Sequence, residues 1–192
     1  NPGVKPWDEL EDKEKAFMCR LQETWAGFLE HTDRQIGRIV DHLKSIDQFD
    51  NTIIVLTADN GTSQGGGPTG VMYLGSGGGL SALNDGRAAI EARGRKLNEE
   101  NMDEMADVMD DIGGPKSFTD IPWGWSQVGN TPLRWYKQDT HGGGVRVPMI
   151  VHHPESIKSG GSVRNQFHHV SDITPTILDM LDITPMDSYN GH

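Results

Sequence analysis

The chain has 192 residues, 34% of them hydrophobic, and a formal net charge of −11. That length suits one ordinary domain or a large part of one, and the acidic balance argues against nucleic acid, whose phosphates demand a basic footprint. No apolar run approaches the roughly 20 residues that a spanning helix needs, which argues against a membrane partner, and a lone Cys19 excludes a disulfide framework and a cysteine zinc site. The opening "NPGVKPWDEL" carries neither a secretory leader nor an initiating Met, and it reads as the interior of a longer chain.

Residues 8 to 46 read as helix. Trp25, Phe28, Leu29, Ile36, Ile39, Val40 and Leu43 recur at three- and four-residue steps and leave a polar opposite face. Acids near its start suit the helix dipole. A helix this long invites a break at Gly27 or His31. "NTIIVLTA" (51–58) follows, β-branched and nearly continuously apolar, the pattern of a strand covered on both faces. Residues 61 to 136 form a long insertion that reads as irregular. It is glycine-rich at 61–84, of helical composition at 86–111, and crowded with Gly, Pro and Trp from 112 onward. "VPMIVHH" (147–153) is a second short strand, and "SDITPTILDMLDI" (171–183) is a closing helix with Pro175 in its first turn. Helix, strand, insertion, strand and helix in this order fit an α/β layer architecture.

Two stretches carry candidate chemistry. "IIVLTADNG" places Asp59 and Asn60 at the carboxyl end of a strand, where open α/β sheets bind ligands. Their oxygens are hard donors suited to Ca²⁺ or Mg²⁺; the same Asp-Asn-Gly is also ordinary turn chemistry. "RWYKQDTHGGGVRVP" (134–148) holds Lys137 and His141 four residues apart, ahead of three glycines. A lysine can hold an oxyanion as a point charge and a histidine can move a proton, while glycines admit close backbone approach. The alternative is a solvated loop.

Three segments together are more specific: "AGFLEHTDRQIGRIVDHLKSIDQFDNTIIVLTADNG", "NTPLRWYKQDTHGGGVRVPMIVHHP" and "VSDITPTILDMLDI". In that order they resemble the C-terminal part of the catalytic domain of a formylglycine-dependent sulfatase, within the alkaline-phosphatase-like superfamily. The insertion resembles that of the bacterial arylsulfatase branch. The resemblance implies that residues 1–192 are a fragment of a three-layer α/β/α domain. It implies sulfuric ester hydrolysis of a small-molecule sulfate ester at a divalent-metal site, usually Ca²⁺. It makes Asp59 and Asn60 two metal ligands, Lys137 the lysine that contacts the sulfate, and His141 a residue of the substrate pocket. Arg146 matches an arginine read as structural, and Asp172 and Pro175 match the start of a packing helix.

The family's nucleophile, a formylglycine made from the Cys or Ser of a C/S-x-P-x-R motif, is expected in the part preceding this chain. Cys19 reads "CRLQE" and does not fit that motif. "DDIGG" (110–114) imitates the family's first metal-binding Asp pair but follows no apolar strand, so it reads as a solvated helix end. "GSGGGL" (75–80) follows no strand and is a poor dinucleotide fingerprint. His152–His153 and His168–His169 are adjacent pairs whose members point to opposite faces in a strand, which disfavours chelation of one ion. Trp123, Trp125 and Trp135 either wall an aryl pocket or anchor the insertion. The isolated chain is expected to be inactive and to self-associate through exposed sheet edges. Two rivals stand beside the sulfatase reading: a phosphonate monoester hydrolase or phosphodiesterase of the same superfamily, and a non-catalytic module derived from the fold.

Overall fold

A computed structural model describes residues 3–72, 109–115, 117–186 and 188. These fall into two units: Asn1–His42 with Leu56–Met149, and Leu43–Val55 with Ile150–His192. Most of the helical reading of 86–111, and the 75–80 glycines, lie outside the described residues.

The first unit is built on helix α1 (Asp12–Ser45), whose first 31 residues belong to it. A 3₁₀ turn at Trp7–Glu9 precedes the helix, and Leu10 separates the two with an extended backbone. The start follows from local chemistry. Glu14 reaches back to accept a hydrogen bond from the Glu11 backbone N–H at 2.8 Å, which is half of a capping box. No break occurs at Gly27 or His31; the helix is continuous over 34 residues, about 51 Å at its usual rise.

The buried face differs from the expected stripe. Phe17, Met18 and Leu21 are buried, whereas Phe28, Leu29 and Ile39 are 71%, 53% and 62% exposed. Periodicity located an amphipathic helix correctly, but burial depends on what faces it. Among the described residues, full burial is confined to the N-terminal turns, and Ile36, Val40 and Leu43 are half-buried. The N-terminal turns pack on Met72, Ile112 and Ile121, with Trp25, Met109 and Trp125 at the edge of the cluster. Truncating Leu21, fully buried here, would cost about 2–5 kcal/mol.

The partners of that cluster come from the insertion. Val71 and Asp120 form an antiparallel bridge, exchanging N–H···O bonds of 3.0 Å. Helix α2 (Trp123–Asn130) follows, where composition suggested no element. Pro122 precedes its first turn, the cis peptide Thr131–Pro132 follows it, and Ser126 within it is fully buried.

Strands β1 (Ile54–Thr57) and β2 (Met149–His152) pair in a two-stranded sheet. They are not covered on both faces. Ile54 and Val55 are half-buried and Leu56 and Thr57 exposed, and Met149, Ile150 and Val151 are exposed as well. β-branched composition made the strands, but two strands alone cannot bury them.

In the second unit, His169 and Asp172 form a capping box at the 3₁₀ turn Val170–Asp172. The closing helix, Ile173–Met180, carries Pro175 in its first turn, as the sequence suggested. His152 stacks on Phe49 with ring centroids 4.3 Å apart, while His153 is buried against the Ser156 hydroxyl at 2.9 Å. Helices with a small sheet agree with a fragment of an alkaline-phosphatase-like α/β fold.

Candidate active site

Asp59, Asn60 and Gly61 form a bend two residues beyond β1. Asp59 is exposed and Asn60 half-buried. The Asn60 amide nitrogen donates to Asp59 Oδ1 at 3.0 Å and to the Gly61 carbonyl at 3.3 Å. This is the turn chemistry expected of the tripeptide. It also uses only the Asn60 amide N–H₂, leaving Asn60 Oδ1 and Asp59 Oδ2 without a bond among the described residues.

Gly61 then docks onto the second motif. Its N–H donates to the Gly144 carbonyl at 3.0 Å. A side-chain carbon at position 61 would lie 1.6 Å from the Gly143 carbonyl oxygen, so only glycine permits this approach. One residue on, Lys137 N–H donates to the Thr62 carbonyl at 3.0 Å. The Asp59–Asn60 loop and the Lys137–His141 loop, far apart in sequence, therefore form one assembly inside the first unit.

The second loop is held in a demanding shape. Trp135 and Gln138 have φ of 64° and 73°, left-handed values that side-chain-bearing residues rarely adopt. Such backbone persists where surroundings over-determine it, and here they do. Gln127 of α2 donates to the Leu133 carbonyl at 2.9 Å and accepts from Trp135 N–H at 3.0 Å. Asn130 donates to the Trp135 carbonyl at 3.0 Å, and its Oδ1 accepts from the Thr62 N–H and hydroxyl at 3.2 and 3.0 Å. Asn130 is thus the joint between the two loops. Lys137, half-buried, directs its backbone to Thr62, and its ammonium has no hydrogen bond or ion pair among the described residues.

His141 opens a four-residue helical turn, α3 (Gly142–Val145). Its ring Nδ1 bonds to Asp139 Oδ1, which also accepts the His141 backbone N–H at 3.0 Å. Those two bonds, side chain first, hold the Asp139 carboxyl below the usual carboxylate range. Burial, reinforced by Asp139, pushes the Tyr136 hydroxyl up.

The structure sorts the three tryptophans. Trp125 packs at the core edge against Trp7, centroids 5.8 Å apart, and Trp123 donates its indole N–H to the Gln64 carbonyl at 2.9 Å. Both anchor the insertion. Trp135 lies beside the candidate residue His141, edge-on at 6.5 Å, with the Arg134 guanidinium 5.5 Å from its ring. Gln127, Asn130 and Asp139 escaped the sequence reading. The first two lie in a helix that composition did not signal; Asp139 was visible as an Asp two residues before a His.

As a metal centre the described residues are partial. Asp59 and Asn60 offer oxygen donors of the right chemistry for a hard cation, but no group of three or more His, Cys, Asp or Glu converges among the described residues.

The family model described as Sulfatase matches residues 7–183. An uncharacterized sulfatase of Schizosaccharomyces pombe is 32% identical over 181 residues, covering 94% of this chain and 28% of that protein. An arylsulfatase of Klebsiella aerogenes is 23% identical over 185 residues, covering 96% of this chain and 34% of that protein. The chain thus spans about a third of the length of these relatives.

Proposed function

The chain belongs to the sulfatase family, and from that premise we propose that its parent protein hydrolyses sulfate esters at a site to which this chain contributes Asp59, Asn60, Lys137 and His141. One observation carries the reading. The two loops that bear these residues are joined by the Gly61–Gly144 and Lys137–Thr62 backbone bonds, and this adjacency supports a single ligand region for their side chains.

Asp59 and Asn60 would hold a divalent cation, Ca²⁺ or Mg²⁺, together with donors from the rest of the parent protein; such an ion, when bound, draws negative charge from sulfate oxygens. Lys137 faces the same problem from its own side. Cleavage of the S–O bond leaves charge on the leaving oxygen and the sulfate, and an ammonium without a protein partner among the described residues is suited to stabilise it. Trp135 supplies an apolar face beside His141, which suits an aryl leaving group. The chain contains no C/S-x-P-x-R motif, so the formylglycine nucleophile is assigned to the remainder of the parent protein, and the isolated chain is expected to be inactive.

The test is a rate comparison on the full-length protein with p-nitrophenyl sulfate and the matching phosphate mono- and diesters. Preference for sulfate is expected, and a clear phosphoester preference would overturn the reading. Calcium titration of the same protein should show weakened affinity in Asp59→Ala; unchanged affinity would remove Asp59 as a ligand.

A further inference from the structure

We propose that Asp139 is a positioning residue for His141, holding its imidazole by Nδ1 so that Nε2 is the ring nitrogen presented to a bound sulfate ester. The ligand's identity rests on the sulfatase reading; the pairing does not. Asp139 Oδ1 accepts twice from His141, from the ring Nδ1 and from the backbone N–H at 3.0 Å. A carboxylate held ionised by those bonds can only accept, so Nδ1 must carry the proton. Left alone, a neutral imidazole could place its proton on either nitrogen, and the bond made by one nitrogen decides the role of the other. With Nδ1 taken up by Asp139, Nε2 is the ring nitrogen left to face a bound ligand.

The support for Asp139 extends past this bond. Its own N–H donates to the carbonyl of the buried Tyr136 at 3.1 Å. Its carbonyl lies where a side-chain carbon on Gly144 would come within 2.0 Å, so the glycine turn closes directly on it. The side chains of Asp139 and His141 remain 33% and 45% exposed, which leaves the pair reachable by a ligand. Trp135, edge-on at 6.5 Å, limits the ring from another side.

An Asp two residues before the N–H it accepts is also simply a turn, so the test must separate capping from ring control. Asp139→Asn retains an acceptor for the backbone N–H but can also donate to an unprotonated Nδ1. Nitrogen-15 NMR of imidazole-labelled full-length protein at alkaline pH should show His141 with its proton on Nδ1, and a shift toward Nε2 in Asp139→Asn. In steady-state kinetics with p-nitrophenyl sulfate, Asp139→Asn should lower kcat/KM roughly ten- to hundredfold, the usual effect of losing a partner that orients a site histidine. The same substitution in a His141→Ala background should cost little more, because its effect passes through the ring. An unchanged tautomer in Asp139→Asn would overturn the proposal, as would an equal loss of kcat/KM in both backgrounds. A wild-type protein without sulfatase activity would instead remove the functional reading, and the NMR result would still decide the pairing.

Discussion

Lys137 shows how much a single side chain can be asked to do when its backbone is already spoken for. Its N–H is bound to Thr62 and its neighbours Trp135 and Gln138 are left-handed, so the loop's shape does not depend on its ammonium. Lys137→Ala in the full-length protein should therefore leave the fold intact and lower sulfatase kcat by about 10²–10³, the scale of losing one preorganised group that stabilises transition-state charge. Undiminished turnover would refute the assignment. Gly61 is the contrasting case. It contributes no chemistry, yet any side chain there collides with the Gly143 carbonyl and would separate the two loops.

At the scale of elements, the start of α1 offers a pH-dependent signature. The Glu14 carboxyl is held below its ordinary range, first by the Glu11 N–H, with burial opposing and Lys5 at 3.2 Å adding to the shift. A depressed folded pKa means the stabilisation is complete above the unfolded value and is lost as pH falls through the folded one. Glu14→Gln should thus be less stable by about 1 kcal/mol at pH 7, the usual net worth of such a bond. The gap between the two melting temperatures should close at acid pH. A gap independent of pH would show that the carboxylate charge plays no part. Helix α2 matters differently: through Gln127 and Asn130 it clamps both site loops. Periodicity could not announce it, because eight residues with two glycines and two tryptophans give no clear helical stripe.

At the scale of the whole molecule, the conspicuous feature is apolar surface. Phe28 and Ile39 of α1 are 71% and 62% exposed in the first unit, and Ile150 and Phe167 are 62% and 89% exposed in the second. Contiguous apolar surface and uncovered strand edges favour association. The isolated chain is expected to sediment as oligomers whose fraction rises with concentration; a concentration-independent monomer would count against this. By itself, the sequence determined the family, the long helix, both strands, the closing helix and the residues worth testing, because each depends on local pattern or on a contiguous motif. Only the tertiary structure decided that the Asp59–Asn60 and Lys137–His141 loops meet, that Trp135 rather than Trp123 or Trp125 lies beside His141, that Asp139 bonds to His141, and that Phe28, Leu29 and Ile39 of the α1 stripe are exposed. Those outcomes rest on hydrogen bonds and steric contacts between segments distant in the chain, and local periodicity contains no information about them.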